Sequence, residues 1–397
     1  MKKSLLFVID SLESAGAEKS LVTLLNLLDY SKFEVDLVLF AHGGLLEELL
    51  PNKVHILKPF KYTEFTRLGI KDAVIQSLKE SKKFTMLYSR IKYSASIRKQ
   101  KYSNAQKARV YWQSVSNVIE DNLKTYDIAI SYAQGVPTFY VAEKVKAKKK
   151  FAWVNVSYRL DENDKAFQKG YYDQYDKIVA VSDSTKEILL ETFPCYSDKV
   201  NVIYDINNPQ FISDMAAIGE KDDAPFGGIK ILTIGRLAHQ KGYDIALEAC
   251  KKLKEKGIDF KWYALGKGPL ESEIREYIKQ NDLSDYFILL GVKANPYPYI
   301  KNSDIYVQTS RFEGFGLAIA EARMLNVPVV TTRFDAVYNQ MVDGKNGLVV
   351  EMAADAVCDG VLKLINDVNL KDDIIQYLQS EKKGNVEEIE KFYQLIG

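Results

Sequence analysis

Ser310-Arg311-Phe312-Glu313-Gly314-Phe315-Gly316-Leu317-Ala318-Ile319-Ala320-Glu321-Ala322 follows the apolar run 305–308 and leads into a segment of helical spacing. A short apolar run, a loop with two glycines and a helix make one β-α unit, and the rest of the chain repeats that rhythm. Around it, runs at 229–234, 260–264, 287–290, 327–331 and 348–350 alternate with longer amphipathic stretches. The first half reads the same way, with runs at 5–9, 35–40, 54–57, 128–132, 152–156, 178–181 and 200–204. The pattern predicts an α/β protein with two doubly wound sheets. Asn207-Asn208-Pro209 and residues 219–228 lack periodicity and collect turn formers, which places a hinge between a first domain, 1–207, and a second, 208–384. Ile389, Phe392 and Ile396 recur at helical spacing, so a closing helix is expected in 385–397.

The 397 residues leave room for two cores, and 54 Lys/Arg against 53 Asp/Glu argue against a dedicated nucleic-acid binder. That balance hides an asymmetry. Residues 1–207 carry 31 basic against 25 acidic residues, the remainder 23 against 28. The excess lies in a basic helical insertion at about 61–110, where 13 Lys/Arg meet only Glu64, Asp72 and Glu80. Phe84, Leu87, Tyr88 and Ile91 fall at helical spacing among those cations. Two readings stand: a solvated insertion with a core-facing stripe, and a helix lying on an anionic membrane surface. Cys195, Cys250 and Cys358 are odd in number and lack metal-ligand spacing, so no disulfide framework or zinc site is expected and a reducing cytoplasm fits. The N-terminal apolar run stops at Asp10, reading as a strand rather than a signal peptide, and no apolar window is long enough to cross a bilayer.

Glu313 sits in the glycine loop and Glu321 follows eight residues later, about two turns into the expected helix. Glycines there let a backbone approach a ligand and present amides at a helix N-terminus, which favours anions and sugar oxygens; a loop of this kind is also common punctuation after a strand. In Gly235-Arg236-Leu237-Ala238-His239-Gln240-Lys241-Gly242, directly after the run 229–234, Arg236 and Lys241 can converge outside the strand's carboxyl end, where a diphosphate would suit them; exposed loop cations are also often simply solvated. Gly16 opens the first amphipathic helix, either as an anion-facing turn or as a plain strand-to-helix connection. Neither G-x-G-x-x-G nor G-x-x-x-x-G-K-[ST] occurs, so a dinucleotide oxidoreductase or P-loop kinase lacks its signature.

These residues resemble the retaining glycosyltransferases of family 4, which have the GT-B fold of two Rossmann-like domains facing across a cleft. The resemblance spans nearly the whole chain. It is strongest over 229–350, where Gly235-Arg236-Leu237 with Gln240-Lys241-Gly242, Leu265-Gly266 with Gly268-Pro269-Leu270, Asn295-Pro296-Tyr297, the pair Glu313 and Glu321, and Asn346-Gly347-Leu348-Val349 recur in family order. The resemblance implies that the closing helix crosses back to the first domain. It also implies that Arg236 and Lys241 meet the donor's diphosphate, Glu321 the ribose and Glu313 the transferred sugar. The amides of Gly314, Phe315, Gly316 and Leu317 would hold sugar and phosphate oxygens, Val292 the base, and Gly16 the phosphates. No metal or other cofactor is implied.

One departure touches the chemistry. Where many relatives carry Trp-x-His, this chain reads Trp153-Val154-Asn155; Asn155 can orient a sugar hydroxyl but cannot take its proton at neutral pH. The expected function is transfer of a hexose or N-acetylhexosamine from a nucleoside diphosphate, commonly uridine diphosphate, to a glycan or lipid-linked saccharide in capsule, exopolysaccharide or lipopolysaccharide assembly. The expected place is the cytoplasm, with peripheral attachment to the inner membrane face through 61–110. The alternatives are a sugar-nucleotide epimerase of the same fold and a nucleotide-sugar-binding protein without turnover.

Overall fold

The computed structural model describes residues 2–13, 16–98, 102–156, 160–218, 226–293 and 295–397. Ala15, Ser157 and most of the turn-rich stretch 219–228 lie outside them. The chain forms two compact units, one built chiefly from residues 17–204 together with 2–13 and 389–397, the other from 205–388.

The first unit holds seven parallel strands, β1 (Lys3–Ile9), β2 (Phe33–Leu39), β3 (Val54–Ile56), β4 (Thr125–Ser131), β5 (Lys146–Val154), β6 (Lys177–Ala180) and β7 (Val200–Val202). Their order is β3-β2-β1-β4-β5-β6-β7. Helices cover the sheet, so its central strands read as continuous apolar runs. β5 departs most from expectation. It begins at Lys146 because Lys146-Ala147-Lys148-Lys149-Lys150 pairs with β4 through its backbone, from Thr125↔Lys146 onward, while Lys148 reaches Asp127 at 2.7 Å.

The helix Glu388–Ile396 belongs to this unit's core, although the chain before it builds the other sheet. Fully buried Phe392 lies 6.2 Å from Phe7 and 6.0 Å from Trp153, ring centre to ring centre. Its neighbour Tyr393 stacks on Phe33 at 6.0 Å, and its hydroxyl donates to the Leu27 carbonyl at 3.3 Å.

The basic insertion forms helices. After α1 (Gly16–Leu27) come α2 (Lys61–Arg67), α3 (Ile70–Lys79), α4 (Ser81–Ile97) and α5 (Asn104–Val115). α4 turns Ser89 and Tyr93 inward, the latter edge-on to Tyr111 at 5.2 Å. That rotation sends Phe84, Tyr88 and Ile91 outward, each more than half exposed, while Leu87 is part-buried, so most of the stripe does not face the core. Ile70, Ile75 and Leu78 on α3 are exposed as well, Leu78 by 82%.

The second unit holds six parallel strands, β8 (Ile229–Ile234), β9 (Phe260–Leu265), β10 (Phe287–Gly291), β11 (Ile305–Gln308), β12 (Val329–Thr332) and β13 (Gly347–Val350), in the order β10-β9-β8-β11-β12-β13. From β8 the chain builds outward one way, and from β11 the other. These two adjacent strands mark the sheet's topological switch point, at whose carboxyl ends ligands bind in open α/β sheets.

Phe392→Ala should remove about 3–5 kcal/mol of stability from the first unit. The expected result is an earlier guanidinium transition in tryptophan fluorescence, to which buried Trp112 and Trp153 of that unit contribute; an unmoved midpoint would show that the helix does not hold the unit together.

Candidate active site

At the second sheet's switch point the loops 235–242 and 309–316 are joined by three hydrogen bonds to main-chain carbonyls. Arg311 N–H donates to the Gln240 carbonyl at 2.8 Å, Thr309 Oγ1 to the Lys241 carbonyl at 2.9 Å, and Gln240 Nε2 to the Phe312 carbonyl at 2.9 Å. Gly242 makes the approach possible. Its φ is +61°, and a β-carbon there would stand 2.0 Å from the Thr309 carbonyl oxygen. Arg311 adds a two-pronged clasp on Asp244, at 2.9 and 2.7 Å, which holds that carboxyl below its ordinary range.

Between the joined loops, Lys241 Nζ and Glu313 Oε1 lie 2.5 Å apart. The same oxygen accepts from Ser310 Oγ at 2.5 Å and Gln308 Nε2 at 3.1 Å. Gln308 is oriented in turn by the Tyr306 hydroxyl, which donates to its Oε1 at 2.5 Å. Burial drives the Tyr306 hydroxyl well above the ordinary tyrosine range, so it keeps its proton. Three donors converge on Oε1, and Oε2 bonds nothing among the described residues, leaving it as the carboxylate's open acceptor. The Lys241 stem lies over Gly235, where a β-carbon would come within 3.1 Å of its Cδ. Arg236, in the same loop, is exposed and makes no ion pair or side-chain hydrogen bond among the described residues.

The helix after the second loop is Leu317–Met324, capped by Gly316 at φ +82°. Because a left-handed residue ends the helix on that side, Glu321 stands little more than one turn in, not two. It is almost wholly buried and accepts from the Tyr297 hydroxyl at 3.1 Å. Burial, reinforced by the charge of Glu321, keeps that hydroxyl protonated. Gln340 Nε2 donates to the carbonyls of Phe315 and Gly316. The Gly314, Gly316 and Leu317 amides donate to nothing among the described residues, as the first amides of a helix do unless something binds them. Val292 directly follows β10.

Gly16 and Asn155 stand on elements of the other sheet. Gly16 is the first residue of α1. Asn155 follows β5, with its Nδ2 on the Tyr132 carbonyl at 2.7 Å and its backbone N–H on Gln134 Oε1 at 3.1 Å. These bonds lock its amide while Oδ1 remains buried without a partner among the described residues, an acceptor suited to a hydroxyl. Sequence reading missed Gln308, Tyr306 and Gln340. For Gln308 a signal existed: an amide ending the apolar run Ile305-Tyr306-Val307 must find partners if buried.

Residues 216–381 match the family of glycosyl transferases group 1. The matched stretch lies within the second unit. The chain is 28% identical over 204 residues to the N-acetylgalactosamine-N,N'-diacetylbacillosaminyl-diphospho-undecaprenol 4-alpha-N-acetylgalactosaminyltransferase of Campylobacter jejuni, covering 50% of this chain and 53% of that protein. It is 26% identical over 208 residues to the capsular polysaccharide biosynthesis glycosyltransferase CapM of Staphylococcus aureus, covering 50% and 54%. The chain thus spans about half the length of the curated relatives it matches. As a fold, both units together resemble Anabaena Alr3699/HepE, solved with UDP and glucose, with a TM-score of 0.68 at 16% identity over 99% of this chain and 98% of that one. The architecture is GT-B.

Gly242→Ala should strain the second unit by about 1–3 kcal/mol, because alanine must enter the left-handed region against a carbonyl. Thermal unfolding checks this; an unchanged transition would mean that the loops accommodate the β-carbon.

Proposed function

We propose that the protein is a retaining, metal-independent glycosyltransferase that moves a sugar from a UDP-hexose or UDP-N-acetylhexosamine to a glycan or lipid-linked saccharide in surface-polysaccharide assembly. The observation that carries this reading is the switch-point cluster: Lys241 locked to Glu313 at 2.5 Å, exposed Arg236 in the same loop, and unbonded amides at the following helix. As the bond between sugar and diphosphate breaks, negative charge grows on the departing phosphate and the anomeric carbon becomes oxocarbenium-like. Arg236, Lys241 and the Gly316 and Leu317 amides oppose the first charge, fixed in place before the reaction begins. Glu313 Oε2 meets the sugar, Glu321 the ribose and Val292 the base. The acceptor hydroxyl attacks on the leaving-group face and gives its proton to the departing phosphate oxygen, and Asn155 Oδ1 suits a sugar hydroxyl that it orients without taking its proton. The UDP bound to the Anabaena protein supports the donor class, and the diphospho-undecaprenol in the Campylobacter relative's name supports a lipid-linked acceptor.

We place the enzyme on the cytoplasmic face of the membrane as a peripheral protein. Among the described residues no helix is long and apolar enough to cross a membrane. The outward apolar side chains of α3 and α4 stand among exposed Lys71, Lys79 and Arg98, a pairing of insertion and anion attraction that suits an acidic leaflet.

Incubation with a panel of nucleotide sugars, read by mass spectrometry, should give transfer or donor hydrolysis that resists EDTA and falls by about a hundredfold or more in Lys241→Ala and Glu313→Ala. Turnover unchanged in both variants would sink the site assignment, and conversion of the donor sugar without an acceptor would identify an epimerase. On vesicles, the protein should float with phosphatidylglycerol but not with phosphatidylcholine alone, and Leu78→Glu combined with Phe84→Glu should abolish flotation; equal non-binding to both lipids would remove the membrane placement.

A further inference from the structure

Gln340 touches neither the acids nor the cations of the site, yet its side chain grips the loop that carries Glu313. It follows the short turn Val337–Asn339 beyond β12 and is almost wholly buried. Its Nε2 reaches two consecutive carbonyls, those of Phe315 and Gly316, the latter at 3.1 Å. Both partners are acceptors, so the amide orientation is determined: turned over, Gln340 would set oxygen against two oxygens. The turn is itself held by buried Asn346, whose Nδ2 donates to the Gln340 carbonyl at 3.1 Å and whose Oδ1 accepts from Val342 N–H at 2.8 Å. Gly316 completes the fit, since a β-carbon there would stand 3.0 Å from Gln340 Nε2.

A trans peptide is planar, and its C=O and N–H point in opposite directions. Drawing the Phe315 carbonyl toward Gln340 therefore turns the Gly316 N–H away from it, and the Gly316 carbonyl, which Gln340 holds together with the Ile319 and Ala320 amides at 3.0 and 3.3 Å, does the same to the Leu317 N–H. These two amides find no partner among the described residues. Gln340 Oε1, meanwhile, is buried with no hydrogen bond among the described residues. A buried orphan acceptor is destabilising, so an apolar residue of the same length would serve the core better. The side chain is explained by what its Nε2 aims.

We propose that Gln340 is a positioning residue for the transfer reaction: by holding two successive carbonyls it fixes two peptide planes, so that the Gly316 and Leu317 amides stay directed at the charge that develops on the sugar-diphosphate linkage. This rests on the glycosyltransferase reading given above. It predicts that stability and catalysis separate at this position.

The test uses the full chain and the donor that the wild type consumes in the nucleotide-sugar panel. Gln340→Met keeps the length and removes both the donor and the orphan acceptor. It should melt at the wild-type temperature or above, while kcat falls by about a hundredfold and the KM values for donor and acceptor move by less than about threefold, because the lost interaction acts in the transition state. Gln340→Glu sets a carboxylate against the two carbonyls. Its kcat should be low at neutral pH and recover relative to wild type as the pH falls, since only the protonated acid can donate to a carbonyl. Wild-type kcat in a folded Gln340→Met, or no relative recovery of Gln340→Glu at acidic pH, overturns the proposal while leaving the glycosyltransferase reading intact. A fall in kcat matched by an equal loss of melting temperature also overturns it, as the mark of a merely structural residue. A wild type inert toward every donor in the panel overturns both.

Discussion

The second unit depends on how closely its backbone strands approach one another where side chains are missing. A β-carbon would stand 2.0 Å from the Thr309 carbonyl at Gly242, 2.0 Å from the Gly235 carbonyl at Gly266 and 2.2 Å from the Leu237 carbonyl at Gly268. The turns after β8, β9 and β11 therefore touch through main-chain atoms, with no layer of side chains between them. Lys241 and Glu313, 72 positions apart in the chain, meet because their loops have already been brought together. The separation of the pair is set by main-chain packing, the stiffest part of the molecule, so little reorganisation remains for a bound ligand to impose.

Neutral hydrogen-bond donors help to orient both acids of the site. Glu321 takes the Tyr297 hydroxyl, and Glu313 takes Ser310 and Gln308 in addition to Lys241. Neutral donors fix a carboxylate's direction without cancelling its charge. Arg236 stays uncommitted to either acid, which leaves its whole charge for an anion.

Most of the fold was legible because each buried parallel strand is a short apolar run bounded by turn formers, a signal read without neighbours. The first half of β5 was hidden for the opposite reason: Lys146, Lys148, Lys149 and Lys150 carry no apolar signal, and what makes them a strand is a partner's backbone. The basic insertion was legible as helix but not in its facing, since which side of α4 meets the core depends on Tyr111 of another helix. In the site, Arg236, Lys241, Glu313 and Glu321 stand out by charge near glycines. Gln340 does not, because its two acceptors are carbonyls 24 and 25 positions away, and every residue owns a carbonyl. The start of the helix Leu317–Met324 was misplaced because the backbone sign of φ at Gly316 is invisible in the letter for glycine.

The helix Glu388–Ile396 also sets an order of assembly. During synthesis the contiguous stretch 205–388 can finish its sheet before residues 389–397 leave the ribosome, whereas the unit begun first must wait. Until then Phe7, Phe33 and Trp153 lack the aromatic cover of Phe392 and Tyr393, and the earlier-made half of the molecule is the one exposed to aggregation and to chaperones.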